Sequence, residues 1–401
     1  MAKGFVGMYA PHIQVSLSKP PHLSRIARSV EPTWPPHLHE VVDRPDRQIS
    51  QIERAWGFLR RPKFRGSLVR AGLILARDWF AAAIADLNLR FRAEPTIVWL
   101  QNGIGGEDAL LSVRSLALYV HYSPSGHVSE MVHDQIDAYR RLGFTVLFVT
   151  MAPEMTADAI ARLSESCALI VRRHNHGLDF GAWHDLVPII QARAPQLEEM
   201  LLVNDSICGP LRPLEPVLSV FRGAGNGLFG LSENLAPRPH LQSYFLLIRG
   251  FRAIADALAF LTAFKPTGDK RRTIRRGEVA FTVWMRRRGH AIAAFCGYDR
   301  VERAALGHAV ARERVRILYP WRFAGIAADL ASDPDAMCLA LRKSPLNATH
   351  LFWRELVEDF GLPFVKTDLL LRNPLGVSDP LDWRSVVSED CDRALKVHIA
   401  D

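Results

Sequence analysis

Four short segments carry acidic and polar residues in patterns that suit chemistry on hydroxyls and phosphates. The first is Asn175-His-Gly177-Leu-Asp179-Phe-Gly181-Ala-Trp183. Asn175 and Asp179 offer acceptors for ribose or sugar hydroxyls, while Gly177 permits a tight turn and Gly181 a close approach of backbone or ligand. The plainer alternative is that Asp179 caps a helix beginning near Phe180. The second segment, Asn204-Asp205-Ser206, follows the apolar run Met200–Val203. One carboxylate together with diphosphate oxygens can hold Mg2+ or Mn2+, which makes Asp205 the candidate metal ligand. A lone acid supplies little of a coordination sphere, and an Asx-type turn at a strand end would look the same.

The third segment is His240-Leu-Gln242-Ser-Tyr244-Phe. Read as a strand, its period of two puts His240, Gln242 and Tyr244 on one face, where they would line an acceptor site. A solvent-facing edge strand would have the same pattern. The fourth, Gly277-Glu278-Val279, is expected to open a helix that closes at Arg286-Arg-Arg-Gly289. A carboxylate in a first helical turn is stabilised by the helix dipole. It is also suited to take a proton from an attacking hydroxyl. Lys270, Arg271, Arg272, Arg275 and Arg276 precede it and could meet the charge of a departing diphosphate. As a group they also read as a solvated basic loop.

These segments need a scaffold that brings them together, and the region from Ser115 onward reads as alternating strands and helices. Strands are expected over 116–121, 144–150, 168–172, 200–203, 227–231, 241–248 and 291–295. Helices are expected over 128–142, 156–165, 180–193, 251–264 and 278–288. Short apolar strands joined by helices predict a mostly parallel sheet with right-handed crossovers. In such sheets ligands bind beyond the carboxyl ends of the strands, where the first two of the four segments fall.

The chain has 401 residues, enough for two domains or one with large extensions. Residues 1–50 are rich in Pro, His and Arg and read as a loose leader. Residues 51–110 read as a helical extension, in which the basic amphipathic stretch 52–93 could lie on an anionic membrane or pack on the main domain. The catalytic domain is expected over 111–300, and 301–401 reads as mixed and mainly helical. The net charge of +8 favours phosphate-bearing substrates or a membrane surface. No nucleic-acid-binding pattern accompanies it. Five cysteines, Cys167, Cys208, Cys296, Cys338 and Cys391, lack Cys-x-x-Cys spacing and read as reduced thiols. No apolar run is long enough to span a membrane, so a cytoplasmic protein, at most peripheral to the inner face of the membrane, is expected.

Five motifs in order, HNHGLDFGAW, LLVNDSICGP, HLQSYF, GEVAFTVWMRRRG and PLNATHLFWRELVEDFGLPFVKTDLLLRNP, make residues 115–375 resemble the rhamnan synthesis protein F family of polysaccharide glycosyltransferases. The last motif carries Asn347, Thr349, His350, Pro363, Phe364, Lys366, Asn373 and Pro374. The resemblance implies a GT-A-like α/β fold and a nucleotide-diphosphate sugar donor, with rhamnose from a thymidine diphosphate donor as one candidate. It further implies a cell-surface polysaccharide or lipopolysaccharide acceptor and transfer with inversion. On this reading Glu278 is the base, and Asn175, Gly177, Asp179, Asn204, Asp205 and Ser206 contact the donor. His240, Gln242, His350 and Lys366 contact the acceptor or sugar. The alternative is a glycan-binding or assembly protein of a polysaccharide pathway that catalyses nothing.

Overall fold

Strong apolar runs become strands buried on both sides. The computed structural model describes residues 37–45, 76, 77, 80, 84, 96–323, 333–342, 345–378 and 385. Its strands are β1 His39–Glu40, β2 Ile97–Asn102, β3 Ser115–His121, β4 Thr145–Thr150, β5 Leu169–Arg173, β6 Glu199–Asn204, β7 Ile207–Cys208, β8 Gly227–Asn234, β9 His240–Leu241, β10 Phe245–Arg249, β11 Ala291–Cys296 and β12 Val365–Lys366. One large sheet runs in the order β1-β11-β8-β10-β6-β3-β4-β5-β2, with β9 attached to β8. The pairs β11–β8, β6–β3, β3–β4 and β4–β5 are parallel. Strand β10 runs antiparallel between β6 and β8, and β1 and β2 are antiparallel edges. The sheet is thus mixed but mostly parallel.

Both faces are covered, as expected for parallel strands without polar alternation. Along β3, Leu116, Leu118 and Val120 pack with Phe180, Trp183 and Leu186 of the helix Leu178–Arg193 and with Ile254 and Phe281. Ala117 and Tyr119 face the other way, toward Val132 and Ile136 of the helix Glu130–Arg141 and Phe221 of the helix Glu215–Gly223. Adjacent residues of one strand therefore serve two cores, which fixes its register: a one-residue slip would exchange them.

Two edge strands fall outside the expected catalytic segment. Strand β2 lies in the stretch read as a helical extension, and pairs with β5. Strand β1 lies in the stretch read as a loose leader, and its His39 and Glu40 pair with Ala294 and Ala293. Sheet pairing overrides the weak local propensity of these short pieces. Arg44, just beyond β1, anchors this strap through ion pairs with Glu233 and Asp299. Of the amphipathic stretch 52–93, residues 76, 77, 80 and 84 are helical, and the rest lies outside the described residues. Cys167, Cys208, Cys296 and Cys338 are free thiols; Cys391 lies outside the described residues. Among those residues no helix is long and apolar enough to cross a membrane.

Candidate active site at the strand ends

The carboxyl ends of β3, β5 and β6 open on one side of the sheet. Strand β6 is apolar from Met200 to Val203 and ends at Asn204, whose side chain is buried and donates from Nδ2 to Asp179 Oδ2 at 3.1 Å. Asn204 Oδ1 accepts from both the backbone N–H and the hydroxyl of Ser206. Asp205 turns toward β3 and accepts the backbone N–H of Tyr122 on Oδ2 at 2.6 Å.

Asp179 stands in the first turn of the helix Leu178–Arg193. The chain enters that helix through two left-handed residues, Gly177 at φ 79° and Leu178 at φ 54°. Gly177 suits this conformation; Leu178 pays about 1–3 kcal/mol for it. Such strain beside polar groups marks a geometry that packing has imposed. Asp179 accepts the N–H of the next residue, Phe180, on Oδ1 at 2.9 Å, which is not the bond two or three residues ahead that an N-cap makes. Its Oδ2 is engaged tertiarily, by Asn204 and by the Ser243 hydroxyl at 3.1 Å. Capping alone therefore does not account for it.

Glu278 departs from expectation. The basic stretch before it is not a loop. Asp269 caps a helix Lys270–Ile274 by accepting the Arg272 N–H at 2.7 Å. That helix runs through a π-turn, Arg275–Val279, into the helix Ala280–Arg287. Glu278 thus sits mid-helix, in the π-turn, and gains nothing from a helix N-terminus. Single π-turns inside helices are frequent at functional sites because they re-aim a side chain. Gly277 allows the turn to dock: a Cβ there would lie 2.5 Å from Phe180 Cδ2. Phe180 cannot retreat, because Trp183, Phe260, Phe264 and Phe281 surround its ring. Glu278 Oε1 lies in a hydrogen bond 3.1 Å from His240 Nε2, and Oε2 accepts the Ser243 backbone N–H at 2.7 Å.

The C-terminal region adds the cation. Strand β12 pairs with β7 in a separate two-stranded sheet, Lys366 opposite Ile207. Thr367 fixes this alignment by donating its N–H to the Ser206 carbonyl and its hydroxyl to the Asp205 carbonyl. The Lys366 ammonium donates to Ser206 Oγ at 3.2 Å and lies 4.2 Å from the Tyr244 ring centroid. A charged amine over a ring face is favoured by the ring quadrupole.

Burial and mutual charge separate the titrations. Burial pushes Asp205 up to about 7 against the Tyr122 N–H bond, which favours the carboxylate. Burial and the Glu278 charge push Asp179 up to about 6. For Glu278 burial is again the largest influence and acts upward, yet the His240 and Ser243 interactions together outweigh it and leave the carboxyl below its ordinary value. Burial draws Lys366 down to about 8, opposed by the charges of Glu278 and Asp179. His350 is lowered to about 4 by burial and by the Lys366 charge.

The structure thus brings Asp179, Asn204, Asp205, Ser206, Glu278 and Lys366 into one cluster, with Gly177 at its margin. Asn175 is exposed on the loop beyond β5. The third segment is not a continuous strand. Residues 242–244 connect β9 to β10, and the expected alternation is lost. Gln242 accepts the Ser232 hydroxyl at 2.7 Å rather than facing an acceptor. His240 is fully buried and both ring nitrogens are engaged inside the protein, so it is not a substrate contact. His350 is buried with Nδ1 unpaired. Tyr122 and Ser243 were missed: a backbone donor has no sequence signature, and Ser243 would lie on the wrong face of an unbroken strand. Among the described residues no group of three or more His, Cys, Asp or Glu side chains is arranged to hold a metal ion. Asp205 offers a single carboxylate whose Oδ2 already accepts the Tyr122 N–H, so among the described residues it has no companion carboxylates arranged with it for a metal ion.

No protein-family model matches the chain. The uncharacterized protein y4gN of Sinorhizobium fredii (strain NBRC 101917 / NGR234) is 27% identical over 195 residues, 47% of this chain. The match spans 50% of that relative's length. Among solved structures, the mannosyltransferase PcManGT from Pyrobaculum calidifontis in complex with GDP-Man and Mn2+ aligns at 12% identity and a TM-score of 0.31, over 73% of this chain and 92% of that one.

Proposed function

We propose that this chain is a GT-A-like glycosyltransferase of the rhamnan synthesis protein F type. It would move a sugar, with rhamnose as one candidate, from a nucleotide-diphosphate donor to a cell-surface polysaccharide or lipopolysaccharide acceptor. The observation that carries the reading is the convergence of Glu278, Asp179, Asn204, Ser206 and Lys366, from four separate parts of the chain, at the carboxyl ends of parallel strands. That is where open α/β sheets bind their ligands.

In this reading Asp179, Asn204 and Ser206 hold hydroxyls of the donor, and Glu278 accepts the proton of the attacking acceptor hydroxyl. The acceptor oxygen forms a bond to the anomeric carbon as the bond from that carbon to the diphosphate oxygen breaks. The electron pair leaves with the nucleoside diphosphate and the configuration inverts. Lys366 and the basic stretch 270–276 meet the growing negative charge. The acceptor is lipid-linked or polymeric and meets the protein at the cytoplasmic face of the membrane.

The test is a panel of UDP-, GDP- and dTDP-sugars, dTDP-rhamnose included, assayed by calorimetric titration and by donor turnover, with Mn2+ and with EDTA. Saturable binding of one donor and its slow hydrolysis or transfer are expected. Binding of no donor under either condition would remove this function.

A further inference from the structure

We infer that His240 is a positioning residue: it clamps Glu278 in the orientation the reaction needs and does not touch substrate. The inference rests on the transferase reading for its purpose, but its geometry stands on its own.

The His240 ring has no exposure to solvent. Nδ1 lies 2.6 Å from the carbonyl oxygen of Arg238, and Nε2 lies 3.1 Å from Glu278 Oε1. A carbonyl oxygen can only accept, so Nδ1 carries a proton and is its donor. Nε2 therefore meets Glu278 in one of two ways, as a protonated donor to a carboxylate or as an acceptor from a neutral carboxyl. In both, one proton lies in the contact, and two lone pairs never face each other. The imidazole is locked in rotation by the backbone at one end and holds the carboxyl at the other.

The backbone that holds His240 is itself fastened. Strand β9 pairs His240 with Asn234 of β8, and the Leu241 N–H donates to Thr282 Oγ1 at 3.2 Å, one turn beyond Glu278 on the same helical rod. Arg286, another turn along, donates to the Pro239 carbonyl. Glu278 and its clamp are therefore cross-linked at three points, which keeps the carboxyl from swinging as charge develops. Charged and titratable groups from four elements face the pair: Asp179 from the helix after β5, Lys366 from β12, Tyr244 ahead of β10 and Glu233 from β8. During transfer the acceptor's proton adds to the one already held between the two residues, and no further co-reactant is required.

The experiment compares wild type with His240→Gln and His240→Ala. Gln can still donate to Glu278 but carries no charge. Two readouts are taken: the pH profile of kcat/KM with whichever donor turns over, and melting temperature between pH 4 and pH 8. Glu278 is held below its ordinary value, so its contribution to stability is present at neutral pH and lost as pH falls through its folded value. Expected in His240→Gln are an acid limb of kcat/KM moved upward by roughly one pH unit or more and a smaller stability loss on acidification than in wild type. His240→Ala should lose more turnover than His240→Gln. In a Glu278→Gln background, His240→Gln should change the pH slope of stability less than it does in the presence of Glu278. An unmoved acid limb, or the same pH slope of stability in wild type and His240→Gln, would overturn the clamp. If wild type turns over no donor, the transferase reading fails, while the stability comparison still decides the role of His240.

Discussion

Ser243 joins Glu278 to Asp179: its backbone N–H donates to Glu278 Oε2 at 2.7 Å and its hydroxyl donates to Asp179 Oδ2 at 3.1 Å. One residue thus spaces two carboxylates while their environments push them apart. Asp179 is raised to about 6 and Glu278 is lowered, so the pair divides into a readily protonated member and one that stays ionised. Pairs separated in this way are a mark of acid–base sites.

If Glu278 takes the acceptor proton, Glu278→Gln should cut turnover about 10²–10⁴-fold and leave donor affinity nearly unchanged. The amide keeps the shape and one acceptor oxygen but loses the charge that His240 and Ser243 hold, so the melting temperature should fall at neutral pH and approach that of wild type as pH falls. Single-turnover kinetics beside calorimetric donor titration separates the two quantities. Equal turnover in the variant would remove Glu278 from the chemistry.

Gly277 is predicted to be intolerant of any side chain. A Cβ there meets Phe180 at 2.5 Å, and four aromatic rings hold Phe180 in place. Overpacking of this kind costs about 1–3 kcal/mol, and here it would also shift the π-turn that aims Glu278. Gly277→Ala should therefore lower both melting temperature and turnover. Phe180→Leu, harmful alone because it empties a packed site, should recover part of the turnover in the double variant. A non-additive cycle measured by thermal melting and activity is the signature of direct contact.

The scaffold was largely legible in the sequence, and the site only in part. Runs such as Leu116–His121 and Phe144–Thr150 are apolar on both faces, a pattern that a covered parallel sheet explains. The ends of Asn204 and Asp179 followed from those strands. The position of Glu278 did not, because a π-turn leaves no break in the sequence: the cap at Asp269 and the continuous helix behind it hid the true start. The alternation over 240–245 failed because a turn at 242–244 re-aims Ser243 inward. The placement of Lys366 depends on pairing with Ile207, a long-range contact that no local pattern encodes. Likewise His39 and Glu40 become sheet only by pairing with β11.

Asp205 should make the protein less stable as the solution becomes basic. Burial raises its carboxyl to about 7, above its unfolded value, so the protonated form is the one folding favours. The stability this gives is complete at pH below the ordinary carboxyl range and is lost as pH rises through about 7. Asp205→Asn removes the titration while keeping an oxygen for the Tyr122 N–H. The variant should gain melting temperature relative to wild type at pH 8 and gain less, or nothing, at pH 5. A difference independent of pH would mean that Asp205 stays ionised throughout.

Lys366 gives a second prediction on the basic limb, in binding rather than in stability. Its ammonium is drawn down to about 8, so it is charged at neutral pH and loses its charge as pH rises through that value. The donor keeps its negative diphosphate over the same range. Affinity of wild type for the nucleoside diphosphate it binds should therefore fall between pH 7 and pH 9, in parallel with the loss of the ammonium. Lys366→Arg cannot deprotonate in this range, so whatever affinity it retains should stay level across it. Lys366→Met should bind weakly at both ends, with the Tyr244 contact preserved as packing alone. Calorimetric titration of the three proteins at pH 7 and pH 9 is decisive: a wild-type affinity that does not change with pH would place the diphosphate away from Lys366 and leave that lysine to balance Glu278 and Asp179.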